Sequence, residues 1–188
     1  MKAGKINSLH RDMNFRKACP GDYEEIMAIL ASGRDAQRKF GFRQWGDDFP
    51  SETTVSNDII TGSGYIMEID GLTAGYAAIF VSDSEYERLS HIWLKKGPYA
   101  VAHRVAISDA FRGRGMACVL IAQIEKVAAV LGTKSMRFDT GVDNLPMQRS
   151  LEKSHYENLG IHDFVWGRRI AYEKLLNPIS IERLPVSN

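Results

Sequence analysis

The chain of 188 residues carries 24 lysines and arginines against 23 aspartates and glutamates, so it lacks the basic field that holds a protein on nucleic acid. Apolar residues make up 44% and charged residues 25%, the balance of a folded globule rather than a disordered or fibrous chain. No apolar run reaches the length of a membrane span. Two cysteines, Cys19 and Cys118, and five histidines show neither a disulfide framework nor zinc-ligand spacing. The expectation is a cytoplasmic protein with no metal, no membrane and no nucleic acid among its partners.

Residues 1–12 and 178–188 read as poorly ordered ends around one domain at 13–177. A short strand is predicted over 13–18. A helix follows, opened by Pro20 with Asp22, Glu24 and Glu25 in its first turn, carrying Ile26, Ile29 and Leu30 on one face and weakened at Gly33. Residues 40–50 have no periodicity, and a short helix is predicted over 51–60. Strands over 65–69 and 72–81 flank Asp70-Gly71, a pair suited to a tight hairpin turn. A polar connection, 82–97, leads to a strand over 99–107. That strand runs into Asp109-Ala-Phe-Arg-Gly-Arg-Gly115 and a long helix with an apolar stripe of Leu120, Ile124, Val127 and Leu131, stopped at Gly132. A fifth strand over 136–140 is parallel to the fourth, because a helical crossover joins them. A helix over 144–153 and a strand pair over 157–166 and 168–175, turning at Gly167, complete the chain.

The chemically informative segment is Arg112-Gly113-Arg114-Gly115-Met116-Ala117, between a strand and a strongly periodic helix. Glycines there let successive backbone N–H groups converge on one point, to which the positive end of the helix dipole adds. Such a corner suits a phosphate, with Arg112 and Arg114 as mobile positive charge at its rim. A Walker-type loop would need lysine and a hydroxyl residue where Met116 and Ala117 stand. A dinucleotide fingerprint would need glycine where Cys118 stands, and an acidic residue that Asp139 supplies only loosely. A turn that merely caps the helix accounts for the glycines but not for the two arginines.

Arg112-x-x-Gly115-x-Ala117 resembles the (Gln/Arg)-x-x-Gly-x-(Gly/Ala) signature of the GNAT family of N-acetyltransferases, and lies between the strand and helix that the family requires. Further segments are similar to one largely bacterial branch of it: 103–107, Asp139-Thr-x-x-Asp143-Asn144, Pro146-Met-Gln-Arg149, Leu151-Glu-Lys153, Ala171-Tyr-Glu-Lys174, Gln44-Trp45 and Gly97-Pro-Tyr99. The resemblance implies an α/β fold of mixed α+β layers. Its sheet is mostly antiparallel with six to seven strands, the central fourth and fifth parallel and splayed, and helices cover both faces. It also implies acetyl-CoA as co-substrate. The pantetheine arm would lie on Val105, Ala106 and Ile107, the diphosphate on the amides from Arg112 through Gly113, Arg114, Gly115 and Met116 to Ala117, and Asn144 would contact the cofactor.

Attack on a thioester requires a deprotonated amine and a polarised carbonyl. A backbone N–H at Val105 or Ile107 is the expected electrostatic partner of the carbonyl. His103, placed by period-two alternation on the face of Val105 and Ile107, and Asp139 are the candidate bases. The resemblance implies a tyrosine acid where Leu151 stands, and Tyr156 is the candidate substitute. Cys118 reads as core. Trp45, Asp47, Asp48, Tyr76 and Tyr99 are candidates to receive a small-molecule or protein amine, or alternatively to pack and turn the chain. The expected activity is acetyl-CoA-dependent N-acetyl transfer, with a weakly active or inactive acyl-CoA-binding module as the alternative. The oligomeric state is open, a homodimer included.

Overall fold

The structure, a computed structural model, describes residues 12–177. Most of both predicted disordered ends, residues 1–11 and 178–188, lies outside them. Asp12 is tied down: its N–H donates to Asp70 Oδ1 (3.1 Å) and its carbonyl accepts from the Asp70 N–H (2.8 Å).

Among the described residues seven strands form one sheet: β1 (Met13–Lys17), β2 (Gly64–Ile69), β3 (Leu72–Phe80), β4 (Tyr99–Ile107), β5 (Ser135–Gly141), β6 (Glu157–Phe164) and β7 (Gly167–Leu175). They lie in the order β1-β2-β3-β4-β5-β7-β6. Every pair is antiparallel except β4–β5, which is parallel. The β2–β3 turn places Asp70 at φ 52° and Gly71 at φ 77°, the left-handed pair that a tight hairpin needs.

Five α-helices among the described residues cover the sheet: α1 (Tyr23–Lys39), α2 (Glu52–Ile60), α3 (Ser84–Arg88), α4 (Met116–Val130) and α5 (Leu145–Lys153). Side chains set their starts. Ser51 accepts from the Thr54 N–H to begin α2, Asp83 caps α3, and Asn144 caps α5. On one face α4 buries Leu120, Ile121 and Ile124 against Met67, Ala77, Ala100 and Phe138. On the other, Ile26, Leu30 and Val55 of α1 and α2 pack on Ile66, Tyr76, Ala78 and Ala106. Each such aliphatic side chain contributes about 1.5–3 kcal/mol by leaving water. Beyond these, Tyr86 of α3 joins Trp93, Tyr99, Val101 and Phe164 in a third cluster over the sheet. Among the described residues no helix is long and apolar enough to cross a membrane.

Three local expectations are corrected. The weakening expected at Gly33 does not interrupt α1: a Cβ there would stand 3.1 Å from the Trp45 ring, so the missing side chain makes room for that tryptophan. The 82–97 connection contains α3, started by Asp83, which accepts from the amides of Glu85 and Tyr86. The buried residues of α4 are Leu120, Ile121, Ile124 and Ala128, while Leu131 is 51% exposed, because it falls in the cap after the helix has ended.

Candidate active site

β4 and β5 pair only through Tyr99–Ser135, Ala100–Met136 and Val101–Arg137. Beyond those pairs no register joins them, and the strands part. The departure coincides with a bulge in β4. Opposite β3, His103 pairs with Ala78 but Ala106 with Tyr76, and Arg104 between them takes φ 56°. An extra residue bends and twists a strand locally. Arg104 is held in that conformation by Asp58 of α2, which accepts from its Nε and Nη2 (2.8 and 2.7 Å) and from the Tyr76 hydroxyl (2.7 Å). The gap opens a cavity of about 660 Å³ that is walled by residues from both sides of the sheet.

The bulge corrects one expectation. Val105 and Ile107 pack toward α4, whereas His103 stands against Phe80, Tyr86 and Trp166 on the opposite face. Alternation fails because the extra residue sits between them. The Ser108 N–H donates to the Ala74 carbonyl (2.9 Å), so in an antiparallel ladder the N–H of Ile107 points away from β3, toward the gap.

On the α4 side the cavity reaches Val105, Ile107, Arg112 and Ala117, while Ala106 between the first two faces α1. Gly113 and Gly115 adopt φ 76° and 77°, with open space where side chains would stand. The amides from Gly113 to Ala117 have no acceptor among the described residues, as the first turn of a helix requires. Together with the dipole of the 15-residue α4 they form an anion-binding corner. The residues that the resemblance assigns to a diphosphate thus leave their amides open to one. Arg114 and the two glycines are exposed, and Met116 is half-buried. Arg112 is not mobile. Its Nη2 donates to Ser32 Oγ (2.9 Å) and to the Ile107 carbonyl (3.1 Å), and its Nη1 pairs with Asp109, which bolts the corner to α1 and β4. Asn144 lines the cavity with its side chain engaged: Oδ1 accepts from the Met147 N–H (3.2 Å) and Nδ2 donates to Gln44 Oε1 (2.8 Å). The same Gln44 oxygen accepts from Thr140 and from the Gly141 N–H, fixing the 40–50 loop to the end of β5.

On the other side, His103 Nε2 lies 3.0 Å from Asp83 Oδ2. The other Asp83 oxygen caps α3. Burial pushes the Asp83 carboxyl up, but the His103 hydrogen bond and charge and the amides of Tyr86 and Glu85 outweigh it and hold the group below the usual carboxylate range. An ionised carboxylate only accepts, so Nε2 presents an N–H to it. Nδ1 has no hydrogen-bond partner among the described residues and is not among the buried orphaned atoms.

Asp139 also lines the cavity, but with both oxygens occupied. Oδ1 accepts from the Tyr86 hydroxyl (2.7 Å), Oδ2 accepts from Trp166 Nε1 (3.1 Å), and Arg169 Nε lies 3.5 Å away. Burial, then the charge of Asp139, push the Tyr86 phenol well above its ordinary value, so it stays a donor and keeps Asp139 in place. Tyr156 is not brought to the cavity. It is buried beside Phe138 beneath the Lys174 ammonium, and burial together with Glu125 raises its phenol well above the ordinary range. Leu151 is wholly buried in the same core. Cys118 is half-buried, its Sγ 3.7 Å from the Ser150 carbonyl.

Of the acceptor candidates only Trp45 reaches the cavity. Tyr76 is buried on Asp58, Tyr99 donates to Glu87, and Asp47 pairs with Arg38 on the surface. Asp83, Arg104, Trp166 and Arg169 are site residues that sequence reasoning missed. A visible signal existed for Asp83 alone, as an N-cap residue before a short helical stretch. Among the described residues no group of three or more metal-ligating side chains converges.

A parted parallel strand pair beside an amide-lined helix start is the arrangement that the resemblance to the acetyltransferases implies. The model of the acetyltransferase (GNAT) family matches residues 30–156, and the chain belongs to that family. It is 31% identical to a GNAT-family acetyltransferase from Streptococcus agalactiae, covering 87% of this chain and 95% of that one with a TM-score of 0.75. A GNAT-family acetyltransferase from Listeria monocytogenes is 21% identical over 87% and 95% of the two chains, with a TM-score of 0.69. Aminoglycoside acetyltransferase AAC(6′)-Ib in complex with coenzyme A, 17% identical over 87% and 95%, has a TM-score of 0.63 and shares the fold. No curated protein matches the chain.

Proposed function

We propose that this protein transfers the acetyl group of acetyl-CoA to a primary amine by direct attack of the amine on the thioester. The observation that carries the reading is the gap between β4 and β5, with the unpaired amides of Gly113 to Ala117 on one side of it and the His103–Asp83 pair on the other. Those amides would hold the diphosphate, and Val105 to Ile107 the arm that follows it. When bound, acetyl-CoA supplies an acetyl group already activated as a thioester.

The Ile107 N–H, turned toward the gap, is a preorganised donor for an oxygen that gains charge there. His103 Nδ1 accepts the proton of the attacking amine, while Asp83 fixes the tautomer and stabilises the imidazolium. As the C–N bond forms the C–S bond breaks. The sulfur leaves as a thiolate, which its ordinary pKa tolerates. The test is thiol release from acetyl-CoA in the presence of a panel of primary amines, with wild type and His103→Gln compared. Release by wild type and its loss in the variant are expected, and release unchanged in His103→Gln refutes the role given to the histidine.

A second reading, an acyl-CoA-binding module without turnover, has one observation in its favour. Neither Leu151 nor Tyr156 presents an acid to the cavity. Tight CoA binding with no thiol release from any amine would select it.

A further inference from the structure

The half of the cavity on the α1 side has walls that choose among amines, and this inference rests on the acetyl-transfer reading. Its carboxylates are Asp83 and Asp139. Both are already engaged within the protein: Asp83 accepts from two amides and pairs with His103, and Asp139 accepts from Tyr86 and Trp166 with Arg169 beside it. Arg104 and Arg112 line the cavity as well, but each is paired with a carboxylate outside it, Asp58 and Asp109, so only Arg169 is set against the two acids. That wall holds one net negative charge, and a polycation loses its hydration on entering without a counter-charge for each of its ammonium groups.

The surface that remains uncommitted is aromatic. Phe80 and Trp45 form the inner wall, and Phe40, Phe49 and Trp166, 63%, 42% and 40% exposed, line the mouth. Large aromatic side chains left exposed around a concave site mark where a ligand takes over their burial. His103 stacks edge-on against Trp166 with ring centroids 5.9 Å apart, so the unshared Nδ1 and the aromatic mouth belong to one site.

We infer that the acceptor is a primary monoamine on an uncharged aromatic or bulky apolar body, bound with its ring against Phe49 and Trp166 and its nitrogen toward His103. Polyamines, aminoglycosides and lysine side chains of peptides are then poor acceptors. One net negative charge on the wall leaves no counter-ion for a second ammonium, and a peptide backbone brings polar groups to an aromatic mouth.

The experiment measures kcat/KM by thiol release for tryptamine and phenethylamine against spermidine, kanamycin, L-phenylalanine and a lysine-containing peptide. The aryl monoamines are expected to lead by about tenfold or more, the discrimination one filled apolar wall provides. Phe49→Ala is expected to raise the KM for tryptamine by about tenfold and leave the dissociation constant for CoA unchanged. Preference for spermidine, kanamycin, phenylalanine or the peptide overturns the inference, as does a Phe49→Ala variant that weakens CoA instead of tryptamine. Thiol release from none of these amines overturns the transferase reading itself, so the two failures are distinguishable.

Discussion

Replacing Asp83 by Asn separates the proton role of His103 from its packing. The asparagine carbonyl can still accept from the Glu85 and Tyr86 amides, so α3 keeps its cap and the structural loss is about 1 kcal/mol or less, the charge contribution at a helix start. Its amide group now donates to His103 Nε2, where the carboxylate accepted. That reverses the tautomer, moves the ring proton to Nδ1 and removes the lone pair facing the cavity. Losing a positioned base costs about 10²–10⁴ in rate, or about 3–5 kcal/mol in the barrier. Stopped-time thiol assays should show that loss in kcat with little change in the affinity for CoA. Imidazole ¹⁵N shifts should show the tautomer exchanged. A variant with wild-type kcat, or one whose ring nitrogens are unchanged, refutes the reasoning.

Gly115→Val and Gly132→Val form a matched pair, since both positions have φ 77° and open space for a side chain. Each should cost about 1–2 kcal/mol in thermal unfolding from the left-handed backbone, but only Gly115→Val should weaken CoA binding in calorimetry; equal CoA affinities for the two would remove the helix start from the site. Leu151→Ala, at a wholly buried position, should cost about 2–5 kcal/mol by denaturant unfolding. A loss well below that range would show that the core under α5 can collapse. At low pH, hydrogen bonds from Arg16, opposed by burial, hold the Asp22 carboxyl down at about 2 from 3.8. A depressed folded pKa means the stabilisation is complete above pH ~4 and lost as pH falls toward ~2; screening by the half-exposed Arg16 leaves about 1–2 kcal/mol. The melting temperatures of wild type and Asp22→Asn should therefore converge across that window, and a constant difference would contradict the pairing.

Much of this was legible in the sequence because it depends on local rules. Asp70-Gly71, Ser51 and Gly132 each name a backbone conformation, and the crossover from β4 through α4 requires a parallel β5. The glycine-arginine segment at α4 was readable for the same reason, since unpaired amides follow from the helix start itself. What sequence hid is non-local. The β4 bulge at Arg104 depends on Asp58 and Tyr76, distant in the chain, and it inverted the face assigned to His103. Asp83 meets His103 only because α3 folds back over β4, and Trp166 arrives from the β6–β7 turn. Tyr156 was misplaced because its burial under Phe138 is a property of the assembled core. Gly33 shows the limit of propensity, since a residue that weakens isolated helices is retained here for the volume of Trp45.

The claim on which the rest stands is that main-chain amides at the start of α4 grip the diphosphate of coenzyme A. Titrating ¹⁵N-labelled protein with CoA and following every amide resonance tests it directly. The largest shifts are predicted at residues 113–117, with Ile107 next. No shift at 113–117 under conditions where CoA is bound would contradict the account.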